Sequence, residues 1–327
     1  MARVWRYHPK PKDDESFSSW LARTAYGNCA KLHTFSRLTW PGRQVWNRDL
    51  DRAGAPAMVR DVAIGTYVAP ARAFETCLTR WRGVMFERVA PNGVTDWVCP
   101  LGLYHRRRKS FGQQFCPQCL GEDDEPYFRL DWRFAWMTVC PRHGCLLRDA
   151  CSMCGLPCAP HRALGGRCAD CGPVLAGVGL PPRLAGASYL QTGLDDVRFG
   201  RSWIPALCEV PHPIGVFKLV RELLCVLTSG PRSAALRRSL ERQFRFARFD
   251  PVLTPGRRQF EALRVGERHV LMAYAWHLLD GWPFRFVGHC AQARVWKSWA
   301  LRDREPRRPP FQLADPIERY VFPDTYL

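Results

Sequence analysis

Lysine is scarce in this chain of 327 residues, and so is negative charge. Six of its 48 basic residues are lysine, the other 42 are arginine, and only 30 residues are acidic, which leaves a formal net charge of +18. A GC-rich genome would explain the ratio of arginine to lysine but not the excess of positive charge. Because such an excess attracts phosphates, the composition predicts a polyanionic partner, either nucleic acid or a complex that contains it.

Long hydrophobic runs are also missing. No stretch approaches the roughly 18 uninterrupted apolar residues of a candidate membrane-spanning helix. The start of the chain, MARVWRYHPKPKDDE, carries charge with no apolar segment behind it. We therefore expect neither a membrane span nor a secretion signal, and the sequence predicts a cytoplasmic protein.

A third absence bears on catalysis by zinc. None of the nine histidines is followed two positions later by glutamate. The H-x-E element of a zinc deaminase is therefore missing, and that class of enzyme is excluded.

Cysteine, in contrast, is plentiful. The chain has 15 cysteines, and in a reducing compartment cysteines grouped as C-x-x-C pairs indicate metal rather than disulfides. In each such knuckle the chain turns so that both side chains face one point, and two knuckles complete a tetrahedron around zinc. The predicted ligands of the first site are Cys116, Cys119, Cys140 and His143. Those of the second site are Cys151, Cys154, Cys168 and Cys171.

The spacing predicts two structural zinc ions per chain. A catalytic zinc keeps one coordination position for water and usually has three protein ligands, whereas both groups here offer four. The identity of the ligands is less constrained than the existence of the sites. Cys145 follows the first group closely, and Cys158 and His161 lie inside the second, so each is an alternative ligand.

The residues between the knuckles allow two further interpretations. The acidic run Glu122 to Glu125 could suggest a two-metal nuclease, but adjacent carboxylates in a turn point in different directions, and we interpret it as a solvated loop. The aromatic residues that follow favour a small core between the knuckles over a platform for stacking bases. They are Tyr127, Phe128, Trp132, Phe134 and Trp136.

Helical patterns flank the metal-binding region and predict a mainly α fold. We expect helix-turn-helix-like domains around a small two-zinc module of treble or ribbon type. The segment from Pro56 to Trp81 gives two helices joined at Gly65, the outline of a helix-turn-helix. The predicted divisions are an N-terminal helical domain, a zinc-binding module, a Gly- and Pro-rich linker and a C-terminal helical domain, at 1–98, 99–175, 176–211 and 212–327.

Two groups of residues are candidates for binding partners. The densest positive run, Arg106, Arg107, Arg108 and Lys109, could neutralise several phosphates, or could be a solvated loop. The N-terminal aromatic residues exceed what one small helical domain usually buries, which favours an assembly surface for a partner or a second copy. These aromatic residues are Trp5, Tyr7, Phe17 and Trp20.

Three segments together resemble a known family. They are PKPKDDESFSSWLART, HTFSRLTWPGRQVWNRDLD and the knuckle region, in which FCPQCL, YFRLDWRFAWMTVCPRHG and CLLRDACSMCG follow one another. These segments resemble TniQ, a family of transposition target-selection proteins related to TnsD. The likeness covers residues 7 to about 172, and more loosely the C-terminal stretch EALRVGERHVLMAYAWHLLDGWPFRF.

That resemblance implies a function without chemistry of its own. Its members direct a transposase to a target, either by binding DNA or by docking onto an RNA-guided, Cascade-like CRISPR effector complex, and they recruit an AAA+ ATPase. The members of CRISPR-associated transposons work as homodimers. We therefore expect a bacterial adaptor associated with the nucleoid or with the effector, and the lack of an extended C-terminal DNA-reading half favours this. The alternative is a stand-alone, zinc-containing, sequence-specific DNA-binding regulator.

Overall fold

The computed structural model describes residues 4–53, 56–90, 93–104, 107–108, 110–159, 166–182, 184–201, 204, 207, 210–229, 232–244, 259–300 and 310–321. The chain divides into two compact units. The first unit comprises Met1–Gly83 and Glu87–Pro181, and the second comprises Val84–Phe86 and Pro182–Leu327. The helical regions and both cysteine groups upstream of residue 182 therefore lie in one unit.

The first unit is built from short helices. They are α1 (Phe17–Gly27), α2 (Leu32–Thr39), α3 (Leu50–Ala53), α4 (Pro56–Gly65), α5 (Pro70–Phe74) and α6 (Pro117–Glu122), with 3-10 turns at Leu78–Trp81 and Leu130–Arg133. One antiparallel hairpin joins β1 (Leu103–Tyr104) to β2 (Arg107–Arg108). The prediction of a mainly helical fold is confirmed.

Helix α1 begins and ends where its sequence predicts. The side chain of Ser16 accepts a hydrogen bond from the backbone N–H of Ser19, which satisfies one of the free amides of the first turn. The helix ends at Gly27, and Asn28 follows as the C-cap. Ser16 is therefore the N-cap of the helix.

The core of the N-terminal helices contains two of the residues predicted to form a partner surface. Phe17 and Trp20 are fully buried, so that part of the prediction was wrong. The indole N–H of Trp20 donates to the carbonyl of Pro9 at 2.8 Å, which places the ring inside the unit. Trp5 is half-buried against Phe35, with ring centroids 4.8 Å apart.

Tyr7 differs from its neighbours because its side chain is exposed. Its backbone N–H donates to the Asn28 side chain at 3.0 Å, which fixes its position beside the end of α1. A partner surface at Tyr7 stays a prediction.

The predicted helix-turn-helix segment forms two helices, α4 and α5, on either side of residues 66–69. Helix α5 has only five residues, with Pro70 in its first turn. A DNA-reading role for this pair stays a prediction.

The second unit is also helical. Its helices are α7 (Ala185–Arg198), α8 (Pro213–Thr228), α9 (Ser233–Phe244), α10 (Val265–Leu279), α11 (Phe284–Ala293), α12 (Lys297–Ala300) and α13 (Phe311–Tyr320), with a 3-10 turn at Phe260–Ala262. None of the described helices is both long enough and apolar enough to cross a membrane.

Helix α7 corrects the linker predicted for 176–211. Leu190, Leu194 and Val197 recur at helical spacing and are buried. The helix packs on α10, where the rings of Tyr189 and Trp276 lie 5.8 Å apart. The Gly- and Pro-rich stretch before the helix dominated the composition and concealed this periodicity.

Candidate metal centres

The first metal cluster is assembled by a short helix and a tight turn. Cys116 caps the N-terminus of α6, and Pro117 follows in the first helical turn. The second knuckle turns at Gly144, which has a φ of 61° and whose N–H bonds to the carbonyl of Cys140 at 2.8 Å. Glycine adopts this left-handed conformation without a steric penalty, so the turn can bring His143 back towards the cysteines.

The ligand atoms of this cluster have the separations that tetrahedral zinc requires. Zn–S bonds of about 2.3 Å at tetrahedral angles place two sulfurs about 3.8 Å apart. The Sγ atoms of Cys119 and Cys140 are 3.7 Å apart. The Nδ1 atom of His143 lies 3.4 Å from the Sγ of Cys116, 3.2 Å from that of Cys119 and 3.6 Å from that of Cys140. The four residues therefore could hold a zinc ion.

Glu122 orients the histidine ligand. Its Oε1 lies 2.9 Å from Nε2 of His143, and its Oε2 accepts a hydrogen bond from Arg142 at 2.7 Å. A histidine that binds metal through Nδ1 carries its proton on Nε2, so it donates to this carboxylate and the ring orientation is fixed. Sequence analysis missed this role, because Glu122 was grouped with the acidic loop. Its position on the same short helix as Cys119 was the available signal.

Two thiols at the first cluster, Cys116 and Cys145, have pKa values shifted in opposite directions. Hydrogen bonds from the Cys119 and Cys140 side chains, and then from the Cys119 backbone N–H, hold the pKa of Cys116 far below its ordinary value. Burial and, after it, the hydrogen bond to the Cys116 side chain raise the pKa of Cys145 to about 12. The Sγ atoms of Cys116 and Cys145 are 3.5 Å apart. Cys145 nevertheless lies outside the group of four residues that share one centre.

The second cluster has the same local design. The Sγ atoms of Cys151 and Cys171 are 3.6 Å apart, and those of Cys154 and Cys168 are 3.7 Å apart. Gly155 and Gly172, with φ values of 69° and 88°, turn the chain after each knuckle. These four cysteines also could hold a zinc ion.

The surroundings of the second cluster are more open. Cys151 and Cys168 are buried, but Cys171 is exposed. Burial raises the pKa of Cys151, but the backbone N–H groups of Cys154 and Met153 outweigh this and lower it to about 7, which favours the thiolate that binds metal. Cys158 is buried outside this group of four, and His161 lies outside the described residues.

The four acidic residues from Glu122 to Glu125 have different partners. Glu122 contacts His143, as described above, and Asp123 forms a two-bond ion pair with Arg129 at 2.8 and 3.0 Å. Glu125 pairs with Arg23 and with Lys12. The carboxylates do point in different directions, as expected, but most of them anchor neighbouring elements and only Asp124 fits the interpretation as a purely solvated loop.

The aromatic residues between the knuckles form a core. Phe128, Trp132, Phe134 and Trp136 are buried, and the rings of Phe134 and Trp136 are stacked with centroids 6.0 Å apart. Tyr127 is half-buried and lies under the guanidinium of Arg129 at 4.2 Å. This is the arrangement predicted for a core rather than for a base-stacking platform.

One buried arginine joins this core to the N-terminal helices. Arg133 is fully buried and forms ion pairs with Asp49 at 2.6 Å and with Asp51 at 2.9 Å. Burial by itself would lower the pKa of Arg133, but Asp49 and then Asp51 raise it above its ordinary value. The metal-binding region and α3 are therefore connected through charged groups that are largely buried.

The predicted phosphate-binding run is only partly described. Arg106 and Lys109 lie outside the described residues, and so do the side chains of Arg107 and Arg108, whose backbone forms β2. Nucleic-acid binding by this run stays a prediction.

Comparison with known proteins identifies the N-terminal part of the chain. The TniQ family model matches residues 6–147. No curated protein matches the chain. The matched range contains every ligand of the first metal cluster and ends before Cys151, the first ligand of the second. Residues 6–147 are therefore similar to the TniQ domain.

Proposed function

We propose that this protein is a non-catalytic adaptor of transposition. It selects target sites by linking target DNA, or an RNA-guided CRISPR effector complex, to the AAA+ ATPase and the transposase. The TniQ domain implies an association with transposition. The adaptor role and its partners are our inference.

One observation carries the non-catalytic part of this proposal. In the first cluster four protein ligands converge on one centre, three of them are buried cysteines, and Glu122 engages the remaining nitrogen of the histidine. Zinc with four protein ligands has no open position for a water or a substrate. Bound zinc would therefore hold the two knuckles and α6 together, and the cluster would act as a structural clip of a binding protein.

An insertion assay tests the adaptor role. The transposase, the ATPase and the effector complex are expressed with a marked donor element, with and without this protein, and insertion sites are sequenced. We expect targeted insertions only when the protein is present, because the adaptor supplies the link to the target. An unchanged number and distribution of insertions without it would contradict the proposal.

Co-purification tests the partners directly. The tagged protein is expected to retain the effector complex or the ATPase at moderate salt. If it instead binds one DNA sequence tightly and retains neither partner, the result would favour a stand-alone regulator.

We also propose that the protein forms a homodimer, and Tyr7 offers a test of it. This side chain is 39% exposed, whereas Phe17 and Trp20 are buried in the core. Tyr7→Ala is therefore expected to lower the mass seen by light scattering without unfolding the protein. The matched control is Tyr189→Ala, an exposed tyrosine of the second unit.

A further inference from the structure

The second unit has a cationic groove between α9 and α11. Its open cavity measures about 600 Å³. We call it the arginine groove, and it is lined by Arg232, Ala235, Arg238, Glu241, Arg242, Gln292, Ala293 and Arg294. Four arginines and one glutamate give this lining a net charge of +3.

The helices that form the groove are held in place by buried residues on their opposite faces. Ala235, Arg238 and Arg242 recur at helical spacing on one face of α9, and both arginines are exposed. Leu236 and Leu240, on the other face, are fully buried. The short side chains of Ala235 and Ala293 leave room between the two helices for a ligand.

A buried polar contact joins the two helices that form the groove. The hydroxyl of Ser239 on α9 lies 3.0 Å from Nδ1 of His289 on α11, and both residues are buried. Nε2 of His289 lies 3.4 Å from Nε2 of His277 on α10. Arg238 and Arg242 therefore stand on a packed helix, and Arg294 follows directly after α11 as its C-cap, which limits the entropy lost when these side chains bind a ligand.

The charges of the groove are not neutralised within the described part of the chain. In that part, the side chains of Arg238, Arg242 and Arg294 form no hydrogen bond or ion pair. Three other exposed arginines of the same unit are paired with aspartates: Arg201 with Asp195 and Asp196, Arg285 with Asp280, and Arg319 with Asp315. Among the described residues, the groove thus concentrates arginine side chains without a paired carboxylate, which favours an anionic ligand.

We propose that the arginine groove binds the phosphodiester backbone of a nucleic-acid duplex. The guanidinium group presents paired donors that match the geometry of phosphate oxygens. An acidic protein is the less favoured ligand, because the lining contains no aromatic or large apolar side chain that could anchor a protein interface. Phosphate contacts position a protein without reading bases, so binding at the groove is independent of sequence. This inference rests on the proposed function in one respect: it places the nucleic-acid contact of the adaptor at the arginine groove.

Salt dependence of binding tests the groove. Each released counterion contributes about 0.9 to the slope of log affinity against log salt, so Arg238→Gln, Arg242→Gln and Arg294→Gln together should flatten the slope by roughly 2.5. The matched control replaces Arg201, Arg285 and Arg319 by Gln, which removes the same charge from paired positions. We expect the control to leave the slope nearly unchanged. Both variants are measured by fluorescence anisotropy on a random-sequence DNA duplex and on an RNA duplex of equal length.

The outcomes separate the explanations. Flattening by the groove variant alone, on either duplex, supports the proposal, and the duplex that responds identifies the nucleic acid. Equal flattening by both variants would show that only total charge matters and would overturn it. Unchanged slopes with weaker binding of the ATPase would also overturn it, in favour of an acidic protein.

A second variant keeps the test informative if the triple glutamine variant fails to fold. Arg→Lys at the same three positions retains the charges and should preserve the slope, whereas Arg242→Gln alone should flatten it by about 0.9. Failure of this inference is distinct from failure of the proposed function. The duplex measurement uses the purified protein alone, whereas the insertion assay requires the complete transposition machinery.

Discussion

The two metal clusters share the two-residue spacing within each knuckle but differ in their surroundings. The first lies inside the matched TniQ domain, has three buried cysteines and has a histidine held by Glu122. The second follows the matched range, and one of its four cysteines is exposed. Exposed apolar side chains lie close to it in sequence, among them Met153, Leu156 and Val174. Two sites of the same predicted chemistry are thus expected to respond differently to loss of metal.

The cause of that difference is the packing around each site. The first cluster adjoins a core of buried aromatic residues, which Arg133 connects to the N-terminal helices through Asp49 and Asp51. No tryptophan occurs between residues 148 and 181, where the second cluster lies. We therefore interpret the first cluster as part of the core of its unit and the second as a local clip.

The largest expected effect comes from removing a ligand of the first cluster. Binding of a structural zinc contributes about 10 kcal/mol or more to folding, which is comparable with the whole stability of a domain. Cys119→Ser should therefore abolish the near-ultraviolet circular dichroism of the buried tryptophans Trp20, Trp97, Trp132 and Trp136. Cys29→Ser, at an exposed cysteine, is the control and should change nothing. A native spectrum for Cys119→Ser would remove the distinction between the two clusters.

The next effect concerns the buried arginine. Arg133→Met leaves the buried Asp51 without its cation and Asp49 with Arg52 alone, and breaking a buried ion pair costs about 3–5 kcal/mol. Urea unfolding with metal present should show that the free energy of unfolding falls by this amount. Arg72→Gln breaks exposed pairs with Asp13 and Glu75 and should cost less than about 1 kcal/mol. Equal losses for both variants would show that the metal-binding region and α3 are not coupled through Arg133.

Removal of a ligand from the second cluster should have a local effect. Cys154→Ser should release one metal ion and expose residues 151–172 to protease, while the tryptophan signals of the first unit persist. Mass spectrometry of the first cleavage products locates the cut. A variant that keeps both its metal and its protection would show that another residue, such as Cys158, is the ligand.

The smallest expected effect is on the affinity of the first cluster for zinc. Glu122→Gln removes the charge that orients His143, and changes of this kind typically weaken metal binding about 10–100-fold. Competition with a chelator should show this loss with the fold intact. Asp124→Asn, in the same acidic run, is the matched control. Equal affinities for Glu122→Gln and the control would show that Glu122 does not support the ligand.

Sequence spacing was sufficient to predict the two groups of cysteine and histidine and the helical pair α4 and α5. C-x-x-C pairs and apolar residues at helical spacing are local patterns, which is why both could be predicted. Burial depends on contacts between distant segments, so the same reasoning placed Phe17 and Trp20 on a surface and missed Glu122 and Arg133. The composition of the stretch before α7 concealed a helix for the same reason, because tertiary packing against α10 outweighs a Gly-rich start.

Stepwise chelation, followed by elemental analysis and near-ultraviolet circular dichroism, tests the central distinction most directly. The account predicts two zinc ions per chain. Release of the first ion leaves the near-ultraviolet spectrum of the tryptophans unchanged, and release of the second ion abolishes it. One ion or none at the start, or loss of the spectrum with the first ion released, would contradict it.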